Sequence, residues 1–360
     1  MKKITTVILA AGKSSRFKSK ESKLTYPLCG LPLILHVYNV AKKIAGTNIV
    51  VICNKDNIKI LREILPGCKL IIQKKQLGTA NAVEYAKSYI KTPHFITLSG
   101  DSPLVTIKSL KKLINYYLKS RVKISVIAFK ASNPKGYGRM IIKKKYLYEV
   151  VEQIHLSNTQ EEIKICNSGI MICEKNTFFK KLNKIKINKI KKEKYLPDIF
   201  KLYSNFNIPV NFIYSDENEM LGVNTIQDLL TVEKILQNKY INKFIKKGVL
   251  FNNPHSCYFN FDTKIEKNVI VENNITFKNN INIKSGSVIK SNSYLEGATI
   301  GSNCIIGPSA RIRTKSKIGS NSKIGNFVEI KNSKIGNNVS IAHLSYVGDS
   351  EIGNNVNIGA

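Results

Sequence analysis

An apolar residue at every sixth position constrains this chain more than any other feature. Val288, Tyr294, Ile300, Ile306, Ile312, Ile318, Ile324 and Ile330 keep that step without a break. A one-residue slip precedes Ile335, Ile341 and Val347, and another precedes Ile352 and Ile358; upstream, Val269, Ile275 and Ile281 keep the same step. A six-residue apolar period with glycine at the next position reads as a parallel β-helix, each flat turn placing one side chain on the axis. Glycine there is expected to permit the tight corner. No single turn buries its own face, so the coils hold only as a stack.

Glycine follows the axial position at 301, 307, 319, 325, 336, 348, 353 and 359. Arg313, Lys331 and Ala342 replace it, and beside Ala342 stands His343, the only histidine of the repeat. Two cations and a titratable base at the corners of a rigid scaffold point to an anion-binding catalytic site. The competing reading is that corners simply tolerate large exposed residues.

The chain before the repeat has another rhythm. TTVILA, NIVVIC, KLIIQ, HFITLSG and KISVIAF are strand candidates, with helical patterns such as PLILHVYNVAKKIAG and AVEYAKSYIK between them. Such alternation implies βαβ units and a mainly parallel sheet, whose ligands bind beyond the carboxyl ends of the strands. The expected fold class is therefore a Rossmann-like α/β domain over residues 1–228, followed by a β-helix of hexapeptide repeats over 250–360. Between them IQDLLTVEKILQNKYINKFIKK (226–247) has apolar residues three or four apart and ends at Gly248; it predicts a long helix, with 229–249 as the linker. A length of 360 residues suits two such domains.

Composition narrows the function. Lys and Arg number 57 against 24 Asp and Glu, a formal net charge of +33. The lysines are spread along the chain, and the dense run KLNKIKINKIKKEK (181–194) has no interleaved aromatics to stack bases. A compositional bias, shared with the abundant Ile and Asn, accounts for the charge, and no nucleic-acid partner is expected. A cationic surface still gathers phosphorylated substrates. No apolar run approaches the roughly 20 residues that span a bilayer. The start, MKKITTVILAAG, leads into a Gly-Lys-Ser loop rather than a cleavage site. No membrane insertion and a cytoplasmic location follow as expectations. The seven cysteines are scattered and never spaced C-x-x-C, as buried thiols would be, rather than a zinc site or a disulfide framework.

The loop LAAGKSSRF (9–17) follows the first strand candidate; its small residues let backbone N–H groups approach phosphates, and Lys13 and Arg16 bring charge. It is not a P-loop. SGDSPL (99–104) puts Asp101 just past the strand HFITL. A lone carboxylate there holds Mg²⁺ bound to phosphates, or caps the helix that follows Pro103.

These motifs carry a resemblance. L-A-A-G-x-x-x-R, Lys23, QLGTANAV (76–83), SGDSPL, GYGRMI (136–141), CNSGIM (166–171) and GVNT (222–225) precede the hexapeptide repeat in that order. Over residues 4–360 the chain resembles the bacterial bifunctional N-acetylglucosamine-1-phosphate uridyltransferase/glucosamine-1-phosphate acetyltransferases. The resemblance implies that Ala10, Gly12, Gln73 and Gly78 hold uridine, with Thr79 close by. Arg16 and Lys23 would neutralise the triphosphate of UTP, and Asp101 and Asn224 would bind Mg²⁺. Gly138, Glu152 and Asn167 would hold the amino-sugar 1-phosphate. The implied reaction is in-line attack of a sugar phosphate oxygen on the α-phosphorus of UTP, with pyrophosphate leaving and no protein nucleophile.

For the repeat, the resemblance implies a homotrimer and, because its coils are those of the hexapeptide class, a left-handed β-helix. Arg313, Lys331, Tyr346 and Asn357 would grip glucosamine 1-phosphate, His343 would be the general base towards acetyl-CoA, and the Ala360 N–H would face the oxyanion. Ser14, Ser22 and Ile154 stand where the family usually has Gly, Pro and Lys. Ser14 also resembles the cytidylyltransferase of isoprenoid synthesis, which lacks the repeat. A different nucleotidyltransferase and a non-catalytic β-helix trimer stay as alternatives; a γ-type carbonic anhydrase needs more histidines than His343 alone. Because the chain stops inside a repeat, a fragment of a longer enzyme is expected, with a shortened gene as the alternative and acetyl transfer weak or absent.

Overall fold

The computed structural model describes residues 4–13, 15–17, 22–188 and 192–359. Ser14, Ala360 and part of the basic run at 181–194 lie outside the described residues. The chain forms two compact units: one of the residues up to Tyr26 together with Pro32–Val232, the other of Pro27–Leu31 together with the residues from Glu233 onward.

The five strand candidates are all strands of the first unit: β1 (Ile4–Leu9), β2 (Ile49–Cys53), β3 (Lys69–Ile72), β4 (His94–Ser99) and β5 (Ile124–Lys130). Four more join them: β6 (Arg139–Lys143), β7 (Tyr146–Val151), β8 (Ile165–Glu174) and β9 (Asn211–Tyr214). The sheet runs β9–β5–β8–β4–β1–β2–β3, and β6 pairs with β8 and β7. Every neighbour along the main path is parallel except β8, which runs antiparallel to β4 and β5. All five residues of β2 are buried, as in a strand covered on both faces.

The helices that cover it include α1 (Leu33–Ala45), α2 (Ile58–Ile64), α3 (Thr79–Ala86), α4 (Ile107–Ser120), α5 (Lys175–Leu182) and α6 (Asp198–Asn205). α1 buries Leu33, Ile34, Val37 and Ala41, the three-and-four spacing of one helical face. Because β1 to β4 are parallel neighbours, the segments after Leu9, Cys53, Ile72 and Ser99 all emerge on one edge of the sheet. That edge positions the site.

The long helix, α7, runs Ile226–Lys246. Its start is a reciprocal cap: Asp228 Oδ2 accepts from the backbone N–H groups of Asn224 (2.9 Å) and Thr225 (2.8 Å), while Asp228 N donates to Thr225 Oγ1 at 3.1 Å.

The second unit stacks short parallel strands into three sheets, and one column of paired residues is Ile289, Ile306, Ile324, Ile341 and Ile358. The register differs from the unbroken six-step series. Val288 and Tyr294 are half-buried, whereas Ile289 and Leu295 are fully buried. The axis upstream is Ile265, Val271, Phe277, Ile283, Ile289 and Leu295, so a further slip lies between Leu295 and Ile300, at a turn where Gly297 has φ +57°. In a strand neighbouring residues face opposite sides, so a shift of one exchanges inside for outside.

Val269, Ile275 and Ile281 are buried too, but at a second inward position two residues before the axial one. Ser287, Ser293, Ala298, Cys304, Ala310, Ser316 and Ser322 continue that position, all buried. The hydroxyls are satisfied by backbone: Ser287 Oγ donates to Gly301 O (2.7 Å) and accepts from Cys304 N (3.0 Å).

The corner residue is also not the glycine after the axis. The left-handed conformation falls two residues later, on Asn268, Asn274, Asn280, Asn292, Asn303, Asn321, Asn338 and Asn355, with φ between 55° and 62°. Asparagine visits that region at lower cost than other residues with a Cβ. Its amides bridge coils, Asn274 to Asn292 at 3.3 Å and Asn338 to Asn355 at 2.9 Å. Much of the Ile and Asn abundance in this unit therefore has a structural place, on the axis and at the corners. The glycines provide clearance instead: a Cβ on Gly325 would stand 1.7 Å from Ala342 O.

Gly325→Ala is thus expected to cost the β-helix about 3 kcal/mol, the upper end of ordinary overpacking. A denaturation midpoint equal to that of the unsubstituted chain would contradict the clearance argument.

Candidate active site

At the carboxyl edge of the first unit's sheet, four sequence-predicted residues meet. Lys23 is 7% exposed. Its Nζ donates to Asp101 Oδ2, to Val223 O at 2.7 Å and to Asn224 Oδ1 at 3.1 Å. Arg16 Nη2 donates to the same Asn224 Oδ1 at 3.1 Å. Each partner arrives by a different element. Asp101 follows β4, and its backbone O accepts from Val223 N at 2.8 Å; Ser99 Oγ donates to Asp101 Oδ1 at 2.6 Å. Asn224 is held by the cap of α7. Arg16 sits on a short 3-10 helix, Ser15–Phe17, whose Phe17 is buried against the edge of Tyr26. Asp101 is not the helix cap: α4 is capped by Thr106, whose Oγ1 accepts from Ser109 N at 3.2 Å.

Ala10, Gln73 and Gly78 lie along the same carboxyl edge, in the segments that follow β1 and β3. Ala10 is buried at the end of β1, and its N donates to Ile52 O at 2.7 Å. Gln73, buried just past β3, donates from Nε2 to Gly78 O and to Asn81 Oδ1, both at 3.1 Å. Gly78, at φ +91°, precedes α3 and has no room for a Cβ, which would lie 2.6 Å from Lys194 O. Thr79 spends its hydroxyl on the backbone, accepting from Leu196 N at 3.0 Å. Gly12 and Lys13 are exposed, with nothing within 4 Å of a Cβ built at Gly12.

Gly138, Glu152 and Asn167 form a neighbouring group at the β6–β7 hairpin and β8. Asn167 N donates to Gly138 O at 3.0 Å, and a Cβ on Gly138 would lie 3.4 Å from Glu152 Oε1. Burial raises the Glu152 carboxyl above the usual carboxylate range; the negative charge of Asp198 adds to this and His155 opposes it. Burial likewise raises the Tyr137 phenol, as do Asp228 and Glu217, while a hydrogen bond from the Gly222 backbone acts the other way. That contact brings the loop before β6 against the segment that carries Asn224.

In the second unit, Arg313 and Lys331 lie at equivalent places one coil apart, each just after an axial isoleucine. Both are already paired within the chain: Arg313 Nη1 with Glu329 Oε1 at 2.8 Å, and Lys331 Nζ with Asp349 Oδ2 at 3.6 Å. His343 and Tyr346 are exposed on either side of the corner at Leu344, and Asn357 is exposed on the coil that pairs with Ser340. Among the described residues no hydrogen bond or ion pair joins His343 to Arg313, Lys331 or Tyr346. Ala360 lies outside the described residues.

The seven cysteines are unpaired; six are buried and Cys68 is half-buried. Burial pushes the Cys29 thiol up to about 12 and those of Cys53 and Cys68 to about 11, far from nucleophilic thiolates. Among the described residues no helix is long and apolar enough to cross a membrane.

Comparison with known proteins follows the two units. MobA-like NTP transferase domains match residues 6–163, and bacterial transferase hexapeptide repeats, six of them, match 297–332. The bifunctional protein GlmU of Bartonella bacilliformis is 34% identical over 271 residues, 74% of this chain and 60% of that protein. The GlmU proteins of Alkaliphilus metalliredigens and Clostridioides difficile are each 32% identical, over 75% and 74% of this chain and 60% and 58% of their own length. Over the shared span, the chain is similar to GlmU proteins. It spans about 60% of the length of these relatives. A putative glucose-1-phosphate thymidylyltransferase of Bacillus anthracis matches with a TM-score of 0.54 at 16% identity, over 64% of this chain and 94% of that one. A CMP:2-keto-3-deoxy-manno-octonic acid synthetase matches at 0.50 and 15%, over 66% and 99%. These likenesses show fold: a nucleotidyltransferase α/β unit, followed here by the left-handed β-helix of hexapeptide repeats.

Some of the residues that build this site escape motif reading. Asn54 and Asn57, buried just past β2, donate to Ala11 O (3.2 Å) and Ala10 O (2.8 Å) and so fix the loop that follows β1. Arg139, buried, donates to Pro134 O at 2.7 Å, to Tyr137 O and to Gln153 Oε1 at 3.1 Å, and thereby shapes the Gly136–Gly138 turn. Their signal was position alone, polar side chains directly after or within strands.

The Glu152 carboxyl supplies a prediction. A carboxyl whose folded pKa is raised binds its proton more tightly in the folded state; the ionised form costs stability as pH rises through that window, and the cost vanishes in acid. Glu152→Gln should therefore raise the melting temperature at about pH 8 and leave it unchanged at about pH 3.5. Equal shifts at both would show that ionisation is not the cause.

Proposed function

We propose that the first unit transfers a uridylyl group from UTP to N-acetylglucosamine 1-phosphate, giving UDP-N-acetylglucosamine and pyrophosphate. The observation that carries this reading is the convergence of Lys23, Arg16, Asp101 and Asn224 at the carboxyl edge of a parallel sheet. Two cations beside a carboxylate and an amide oxygen suit a triphosphate and its metal. Ala10, Gly12, Gln73 and Gly78 would hold the uridine, with Thr79 shaping the turn. Gly138, Glu152 and Asn167 would hold the amino sugar. A sugar phosphate oxygen forms a bond to the α-phosphorus, the bond from that phosphorus to the β-phosphate oxygen breaks, and pyrophosphate carries the charge away. Arg16 and Lys23 orient the phosphates and stabilise the charge that develops on them.

The donor set fits Mg²⁺: the Asp101 carboxylate and the Asn224 amide carbonyl are hard oxygen ligands, few in number, as expected where phosphates complete the shell. Those two residues would hold it, and when bound it supplies charge neutralisation to the phosphates. In this reading residues 1–228 are the transferase domain, 229–249 the linker and 250–360 the β-helix domain, in a cytoplasmic homotrimer. The stacked pair Arg313 and Lys331 favours a second, phosphate-gripping site on the β-helix. There Tyr346 and Asn357 would add to the grip on glucosamine 1-phosphate, with acetyl-CoA as acyl donor and His343 taking the amine proton.

Pyrophosphate release from UTP and N-acetylglucosamine 1-phosphate tests the reading. Asp101→Ala is expected to lower the rate by about 100-fold or more, the scale of losing one electrostatic partner of the transition state. Undiminished release would remove Asp101 from the chemistry, and a preference for CTP would indicate cytidylyl transfer instead.

A further inference from the structure

Both residues assigned above to the metal already accept, through one oxygen each, from a cation of the chain. Asp101 Oδ2 accepts from Lys23 Nζ, and Asn224 Oδ1 accepts from both Lys23 Nζ and Arg16 Nη2 at 3.1 Å. With Val223 O at 2.7 Å, the ammonium uses all three of its donors. The remaining carboxylate oxygen, Asp101 Oδ1, accepts from Ser99 Oγ at 2.6 Å.

An ammonium in a nest of three oxygens is chemically what a hard metal ion would be there. Mg²⁺ requires its oxygen ligands at about 2.0–2.1 Å, and Lys23 Nζ already donates to both of these atoms, Asp101 Oδ2 and, at 3.1 Å, Asn224 Oδ1. A dication on Asp101 Oδ2 and Asn224 Oδ1 competes with Lys23 and Arg16 for the same acceptors. Bringing a dication in would also place two like charges next to one another and would strip a buried ammonium of its acceptors, both costly. A triphosphate changes the balance, because its oxygens offer the displaced ammonium and Arg16 new partners.

We propose that Lys23 is an internal plug of the metal site, so that the nucleotide-free protein excludes divalent metal and metal enters only with a triphosphate that takes Lys23 over. Metal and nucleotide binding are then coupled, and each raises the affinity for the other by the same factor. The proposal deepens the functional reading above and takes from it the position of the metal. Its test uses no nucleotide, so failure of uridylyl transfer and failure of the plug are separate results.

The probe is Mn²⁺, an oxygen-preferring stand-in for Mg²⁺, titrated into the full nucleotide-free chain and followed by loss of the free-ion electron paramagnetic resonance signal. Wild type is expected to bind weakly, in the millimolar range or beyond. Lys23→Met is expected to bind at least tenfold more tightly, and adding Asp101→Asn is expected to remove that gain. Lys23→Gln, which keeps one polar contact to Asp101, guards against a folding defect in Lys23→Met and should show the same tightening. Identical isotherms for wild type and both variants would overturn the proposal. So would a gain that survives Asp101→Asn, or micromolar Mn²⁺ binding by wild type alone.

Discussion

One buried ammonium ties the candidate site together. Lys23 Nζ reaches a carboxylate two residues past β4, a backbone carbonyl of the 222–224 segment and an amide oxygen just before α7. These groups are distant in sequence and close only because β1 and β4 are parallel neighbours whose ends share an edge. Burying such a charge is tolerable only with partners of good geometry. Remove the acceptors and the ammonium has no reason to stay. The surrounding devices serve the same end: the reciprocal cap of α7 fixes Asn224, Ser99 orients Asp101, and Asn54 and Asn57 pin the loop after β1.

The second unit obeys a different constraint, the clearance between successive coils. One apolar side chain per face fills the axis, a second inward residue two positions earlier, aliphatic in the first coils and small in the middle ones, fills the remaining space, and asparagine turns most corners. Corner residues of other kinds are informative. Phe327 and Leu344 adopt the left-handed conformation at φ +56° and +49°, and both are largely exposed. Neither has the local hydrogen bonding that lets asparagine take that conformation.

Much of this was legible in the residues. The strands with unbroken β-branched runs, the long helix and the six-residue period all announced themselves, because burial on both faces or one repeated axis leaves a plain pattern. The register of the first coils did not. Val288-Ile289 and Tyr294-Leu295 each offer two apolar neighbours, and period alone cannot say which faces inward when Ser287 and Ser293 share the interior. The corner departs from the expected glycine for a related reason: glycine can turn a corner, yet here the asparagine two residues on does so. In the site, the family resemblance brought Lys23, Asp101 and Asn224 into one list, but that the ammonium would sit on the oxygens themselves depends on distances no motif contains. Arg139 and the Asn54–Asn57 pair act on backbone carbonyls, and a carbonyl acceptor leaves no trace in side-chain sequence.

The most direct test of the account is a crystal structure of the chain with Mg²⁺ and a non-hydrolysable UTP analogue. It should show the triphosphate between the loop after β1 and Asp101, with metal density on the Asp101 carboxylate and Lys23 turned onto phosphate oxygens. A triphosphate bound elsewhere, for example in the 600 Å³ cavity lined by Asn48, Lys69, Tyr89 and Lys91 at the opposite edge of the sheet, with Lys23 still on Asp101, would contradict it.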